Sequence, residues 1–153
     1  MDEPPTGAPV EDDAGPEVII VGAGAVGLAM ALDLARRGVR IRIIDRDPPR
    51  SRRESRALGL QARTLEVLER LGVIDEVLAA GRPIDGFAYY VNGHRVLRVG
   101  VEGLDAPYPV ILLLPQGHLE EILIRRLNDL GVTVERGVDA VAMEQDAHAV
   151  RLL

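Results

Sequence analysis

The run "VIIVGAGAVG", from Val18 to Gly27, constrains the fold of this chain more than any other stretch. An apolar segment of strand length leads straight into Gly22, Gly24 and Gly27, and helix-forming residues, "LAMALDLARR", follow at once. Such a chain must turn sharply out of a strand and start a helix on the far side of the turn. Gly22 permits the tight exit, Gly24 lets the backbone approach a pyrophosphate, and Gly27 lets the helix lie close to the strand. The free N–H groups and positive dipole end of the helix then face the anion. A glycine triplet alone is a weak signal. Here the next apolar run, "VRIRII", closes on Asp45, 18 residues after Gly27, where a carboxylate accepts hydrogen bonds from an adenosine ribose.

These spacings predict a strand over 17–21, a helix over 25–37 ended by Gly38, and a second strand closing at Asp45. Together they make a right-handed βαβ unit with a parallel strand pair. Asp45 also bears on the ligand. A carboxylate at the ribose repels a 2′-phosphate, which disfavours NADP at this turn despite Arg46 next door. NAD and FAD both remain open.

Downstream, "RDPPRSRRES" reads as a proline- and arginine-rich loop. The spacing of Leu60, Leu65, Leu68 and Leu71 predicts a helix over 60–71, and "VIDEVLAAG" a shorter one ending at Gly81. Asn92-Gly93 between two strand-like runs is a strong hairpin signal. "PVILLLPQ" predicts a strand stopping at Pro115, followed by a helix from about Gln116 to Leu130 closed by Gly131. The tail "VTVERGVDAVAMEQDAHAVRLL" reads as strands joined by tight turns.

Composition excludes several classes. The net charge of −6 is concentrated in residues 1–16, which hold five acids and no base; the nearly neutral remainder is a poor nucleic-acid footprint. That Pro-, Gly- and Asp-rich opening is expected to be a disordered acidic tail. With no cysteine, disulfides, zinc–thiolate sites and a cysteine nucleophile are excluded. This fits a reducing, cytoplasmic location. The apolar run from Val18 to Leu32 has an acidic upstream flank and interrupting glycines, so it reads as strand and helix rather than a targeting or membrane segment. His94, His118 and His148 are scattered without metal-ligand spacing.

At "SRALGLQARTLEVLERLGV" and "LPQGHLEEIL", together with "VIIVGAGAVGLAMALDLARRGVRIRIIDR", the chain resembles the single-component FAD-dependent aromatic hydroxylases. These are the para-hydroxybenzoate hydroxylase-like monooxygenases, polyketide and chlorophenol hydroxylases among them. The resemblance runs in order from about Glu17 to the C-terminus. It implies a Rossmann-like α/β FAD-binding domain, with a parallel sheet and an antiparallel β-meander, over residues 17–153. Residues 86–113 would begin the substrate-domain sheet. It further implies that Gly22, Gly24 and Gly27 hold the pyrophosphate, Asp45 the ribose, and that Arg46 lies along the adenosine. Arg56 would reach the FAD phosphates, the backbone of 57–59 would border the flavin, and Gln116 would hydrogen-bond the ribityl chain. Guanidinium pairs with phosphate in a fork, and a glutamine amide both donates to and accepts from a polyol. In that family NAD(P)H reduces the flavin and one oxygen atom of O₂ enters a phenolic ring. No catalytic residue and no metal ligand is expected among the present residues.

Other side chains have plainer readings. Arg50, Arg52 and Arg53 read as loop charges, Arg63 and Glu66 as a helix-surface pair, and Phe87, Tyr89 and Tyr90 as core residues of the hairpin. Family members continue well past this point, through an acidic "DG" and a later "GD" segment absent here. The chain is therefore expected to be the incomplete first part of the FAD domain and inactive on its own. Most of the pocket for a small aromatic substrate would lie elsewhere, and self-association of the full-length protein stays open. The alternatives are another FAD oxidoreductase, such as an amine or amino-acid oxidase, and a non-catalytic adenine-dinucleotide module or inert fragment. "DPPRSRRESRALG" stands where the oxidases usually place a further glycine pair, which weighs against them.

Overall fold

The computed structural model describes residues 15–48 and 59–153. Strand β1 (Val18–Val21) leads through the glycine turn into helix α1 (Ala25–Arg36), and the chain returns as strand β2 (Ile41–Asp45). β1 and β2 pair in parallel, Val18 opposite Ile41 through Val21 opposite Ile44. α1 buries Leu28, Ala31 and Leu32, the i, i+3, i+4 stripe of an amphipathic helix. It ends as Gly38 predicts: at φ +77°, Gly38 N–H donates to the Ala35 carbonyl and Val39 N–H to that of Leu34, a left-handed helix cap.

A very short β3 (Gly59–Leu60) precedes α2 (Ala62–Arg70), α3 (Ile74–Ala80) and β4 (Arg82–Ile84). The helix expected over 60–71 thus starts two residues late. Leu60 pairs across to Leu112 instead, and Gln61 stands extended as the helix N-cap. Its apolar stripe is otherwise as read: Leu65, Leu68 and Leu71 are buried.

The hairpin of β5 (Gly86–Val91) and β6 (His94–Gly100) turns at Asn92 and Gly93, both at positive φ, 49° and 79°. This is the two-residue primed turn that matches strand twist. Its aromatics overturn the core reading. Phe87, Tyr89 and Tyr90 are 43%, 54% and 63% exposed, because the hairpin is a two-stranded sheet of its own. Phe87 and Tyr89 meet edge to face, ring centroids 5.5 Å apart.

Strand β7 (Ile111–Leu113) pairs antiparallel with β3 and β4, and its Leu112 is buried. Helix α4 (Gln116–Asp129) packs on α1, and β8 (Val134–Arg136) joins the parallel sheet beside β2, giving the order β1-β2-β8. The last strands, β9 (Met143–Gln145) and β10 (Val150–Leu152), form an antiparallel pair. Leu28, Leu32, Ile43, Leu65, Val77, Leu112, Leu123 and Leu127 unite the β1-β2-β8 and β3-β7-β4 sheets and all four of these helices in one core. At roughly 25 cal/mol per Å² of apolar surface removed from water, such side chains supply the main favourable term in folding. The acidic tail lies outside the described residues except for Gly15 and Pro16; Gly15 is tied down by Arg40, whose Nε donates to its carbonyl at 3.3 Å.

Candidate functional site

The C-terminal end of the parallel sheet opens onto a cleft of about 480 Å³. One wall is the glycine turn and the first turn of α1; the other comprises Gly59, Leu60, Leu114 and Gln116. Gly22 leaves β1 at φ +103°, in the left-handed region that an L side chain rarely adopts, and its N–H donates to Ile44 O at 2.8 Å. Gly27 is required for space. A Cβ there would overlap the Gly22 carbonyl oxygen and stand 3.1 Å from its carbon and 3.5 Å from Ile20 Cγ2. Gly24 differs from both. A Cβ on it would meet nothing closer than Glu120 Oε1 at 3.8 Å, so the protein itself has room for a side chain at this position.

Helix α1 begins at Gly24 without a side-chain cap and without an acid in its first turn. The first N–H groups of a helix have no intrahelical acceptor. Here they stand on the cleft wall, together with the positive end of the helix dipole, and an anion there would satisfy both.

Asp45 closes β2 and is only 7% exposed. Its Oδ2 accepts from Ala23 N–H at 2.7 Å and its Oδ1 from Asp47 N–H at 2.9 Å. Arg136 stands beside it, Nη1 at 3.1 Å from Oδ2. Gln116, the first residue of α4, donates from Nε2 to Glu120 Oε1 at 2.8 Å, and Glu120 is 8% exposed. Arg46, next to Asp45, is exposed, and Arg56 lies outside the described residues, as do Arg50, Arg52 and Arg53. The surface pair is formed: Arg63 Nη1 lies 2.6 Å from Glu66 Oε2.

The structure therefore gathers Gly22, Gly24, Gly27 and Gln116 around one cleft and sets Asp45 against the turn. Sequence reading missed two residues of this environment. Glu120 had a local signal, four residues after Gln116 on one helix face. Arg136 had none, since it reaches Asp45 only through the parallel pairing of β8 with β2, which sets the two residues opposite each other.

A strand, a glycine turn and an uncapped helix, with an acid closing the next parallel strand, define a dinucleotide-binding protein of the Rossmann type. The chain belongs to the FAD binding domain family, which matches residues 16–152. It is 45% identical over 134 residues to 6-methylpretetramide 4-monooxygenase of Streptomyces rimosus, an alignment covering 86% of this chain and 24% of that protein. The fold superposes on p-nitrophenol 4-monooxygenase from Pseudomonas putida DLL-E4 with a TM-score of 0.82 at 29% identity, covering 90% of this chain and 36% of that one. On the flavin-dependent monooxygenase PieE, solved with FAD and substrate, the TM-score is 0.77 at 31% identity, covering 90% and 26%. The chain thus spans about a quarter of the length of the curated relative. Among the described residues no helix is long and apolar enough to cross a membrane.

Proposed function

We propose that this chain is the FAD-binding portion of a flavin-dependent monooxygenase that hydroxylates phenolic or other aromatic substrates with NAD(P)H and O₂. The observation that carries the reading is Gly24. The protein leaves space for a side chain there and yet places glycine at the mouth of an uncapped helix, which is what close backbone approach to a pyrophosphate requires. FAD, when bound, supplies the redox chemistry, and the protein supplies binding, orientation and electrostatics.

In this reading the glycine turn and the first amides of α1 hold the pyrophosphate. Asp45 takes the adenosine ribose, with Arg46 along the adenosine, and Arg56 reaches the phosphates. Gln116 addresses the ribityl chain, its amide steadied by Glu120. Leu60 and Leu114 give the cleft an apolar side that limits water. No residue of the chain is assigned a proton transfer. NAD(P)H acts as reductant without occupying the glycine turn, and the β5–β6 hairpin begins the sheet of a substrate domain within 86–113. The reading also carries a cytoplasmic location and leaves room for a homo-oligomer of the full-length protein.

Titrating the chain with FAD, ADP and FMN, followed by NMR, tests it. FAD and ADP should both shift the amides of residues 22–27, and FMN, which lacks the adenosine and pyrophosphate, should leave them in place. If millimolar FAD and ADP leave those amides unmoved, the reading is wrong.

A further inference from the structure

The buried charge on Asp45 has a partner that the glycine motif does not contain. β2 and β8 run parallel with Asp45 opposite Arg136, so the two side chains leave the sheet at the same end. Arg136 is 14% exposed at its side chain. Its Nη1 stands 3.1 Å from Asp45 Oδ2, and its Nη2 donates to the carbonyl of Ala23 at 3.5 Å. Asp45 meanwhile accepts the N–H of that same Ala23. Acid and base together therefore take both peptide groups of the buried middle residue of the turn, which lies between the end of β1 and the start of α1.

We propose that Arg136 is a positioning residue for nucleotide binding. It holds the Asp45 carboxylate in one orientation, and that orientation presents the remaining acceptor capacity to the ribose hydroxyls. This rests on the reading of the cleft as a nucleotide site.

A carboxylate has about four acceptor positions. Oδ2 is committed to Ala23 N–H and faces the guanidinium, whereas Oδ1 has Asp47 N–H. The capacity left for a ligand is therefore concentrated on Oδ1, and Arg136, placed at Oδ2 and at the Ala23 carbonyl, fixes the plane of the carboxylate against the turn. Nη1 itself is buried and makes no aligned hydrogen bond. Its contact with Asp45 is one of charge, which a neutral side chain cannot reproduce. A buried carboxylate without its cation is strongly disfavoured, so the arrangement depends on the pair.

The experiment compares ADP with 2′-deoxy-ADP on the parent chain, R136M, R136K and D45N by NMR titration. The parent should prefer ADP by roughly tenfold or more, the scale of a hydrogen bond to a charged group. R136M should reduce that preference to less than about threefold, as should D45N, while R136K should recover part of it because a cation is restored. A merely structural role for Arg136 would weaken both ligands alike and leave their ratio intact, so R136M with the parental ratio overturns the proposal. Where R136M does not fold, R136Q, which keeps an N–H donor but no charge, carries the same comparison with the same criterion. A parent that binds both nucleotides equally refutes the ribose role while the nucleotide reading stands. A parent that binds neither refutes both.

Discussion

Alanine at Gly24 and alanine at Gly27 should fail in opposite ways, although the two positions lie three residues apart in one turn. At Gly27 the new Cβ overlaps the Gly22 carbonyl oxygen and stands 3.1 Å from its carbon. The obstacle is backbone, held in place because Gly22 N–H is bonded to Ile44 O. Relief requires α1 to move away from β1, which loosens the packing of the fully buried Leu28, Ala31 and Leu32. Overpacking of this kind costs about 1–3 kcal/mol or more, and the gain in helix propensity from glycine to alanine returns at most about 1 kcal/mol. We expect G27A to lose about 1–3 kcal/mol of stability, a large part of the roughly 5–15 kcal/mol that holds a domain folded. At Gly24 the backbone is extended, φ −81° and ψ 179°, and the added Cβ finds only Glu120 Oε1 at 3.8 Å. G24A should cost no more than about 1 kcal/mol, the preference of an N-cap for glycine over alanine. Its methyl group nevertheless enters the space a pyrophosphate would use, and affinity for FAD and ADP should fall at least tenfold. Urea denaturation gives the first quantity and nucleotide titration the second. A G24A chain that binds as tightly as the parent would remove the main support for the pyrophosphate site. A G27A chain of parental stability would show that α1 is not seated on the turn as described.

Asp45→Ala should weaken FAD binding by about 1–3 kcal/mol, the scale of hydrogen bonds to a charged group; equal affinities by calorimetry would end its assignment to the ribose. Glu135 forms a two-point pair with Arg42, at 2.8 Å on each arm, and the hydrogen bond from Arg42 holds its carboxyl below the ordinary value of 4.5. A depressed carboxylate contributes stability above the unfolded-state value that is lost as pH falls through the folded-state value. Thermal melts between pH 7 and 3 should therefore show a smaller loss below about pH 4.5 in E135Q than in the parent, and parallel curves would contradict the pairing. Tyr89 and Leu97 face each other across the exposed hairpin, part of an exposed apolar patch of the kind that favours self-association. The double variant Y89E/L97K should reduce concentration-dependent association in sedimentation runs without lowering the melting temperature, and unchanged association would locate the contact elsewhere. The chain alone should give no hydroxylated product from phenols with FAD and NADPH supplied; coupled product formation would show that the residues present suffice for turnover.

What the sequence made legible is what the chain decides over a few residues. Gly38 and Gly131 both stand at positive φ just past their helices, since a left-handed cap needs only its own dihedrals. Asn92-Gly93 likewise carries its own turn. Leu60 and the hairpin aromatics went astray for one shared reason: an apolar side chain announces burial but not what buries it. Leu60 is claimed by the antiparallel pairing with Leu112, decided some fifty positions away. Phe87, Tyr89 and Tyr90 meet no second layer among the described residues, so alternation that reads as a core face stands in solvent.

The same distinction governs the site. Shape at the turn is local, and Gly22, Gly24 and Gly27 announce it. Charge is not. Behind the lining of a cleft suited to a pyrophosphate lie two buried carboxylates, Asp45 against the turn and Glu120 beside Gln116, which on their own would oppose an anion. Neither stands alone. Arg136 offsets Asp45 from the neighbouring strand β8, and Gln116 turns an N–H toward Glu120 from one helical turn away. The potential felt by a phosphate at α1 thus depends, beyond the helix dipole, on β8 and α4, elements that the βαβ motif does not include. Glycines can therefore establish that a dinucleotide fits, but the sign of the field that receives it depends on residues more than a hundred positions along the chain from Ala23, as Arg136 is. Replacing Arg136 should consequently disturb nucleotide binding even in a chain whose glycine motif is intact.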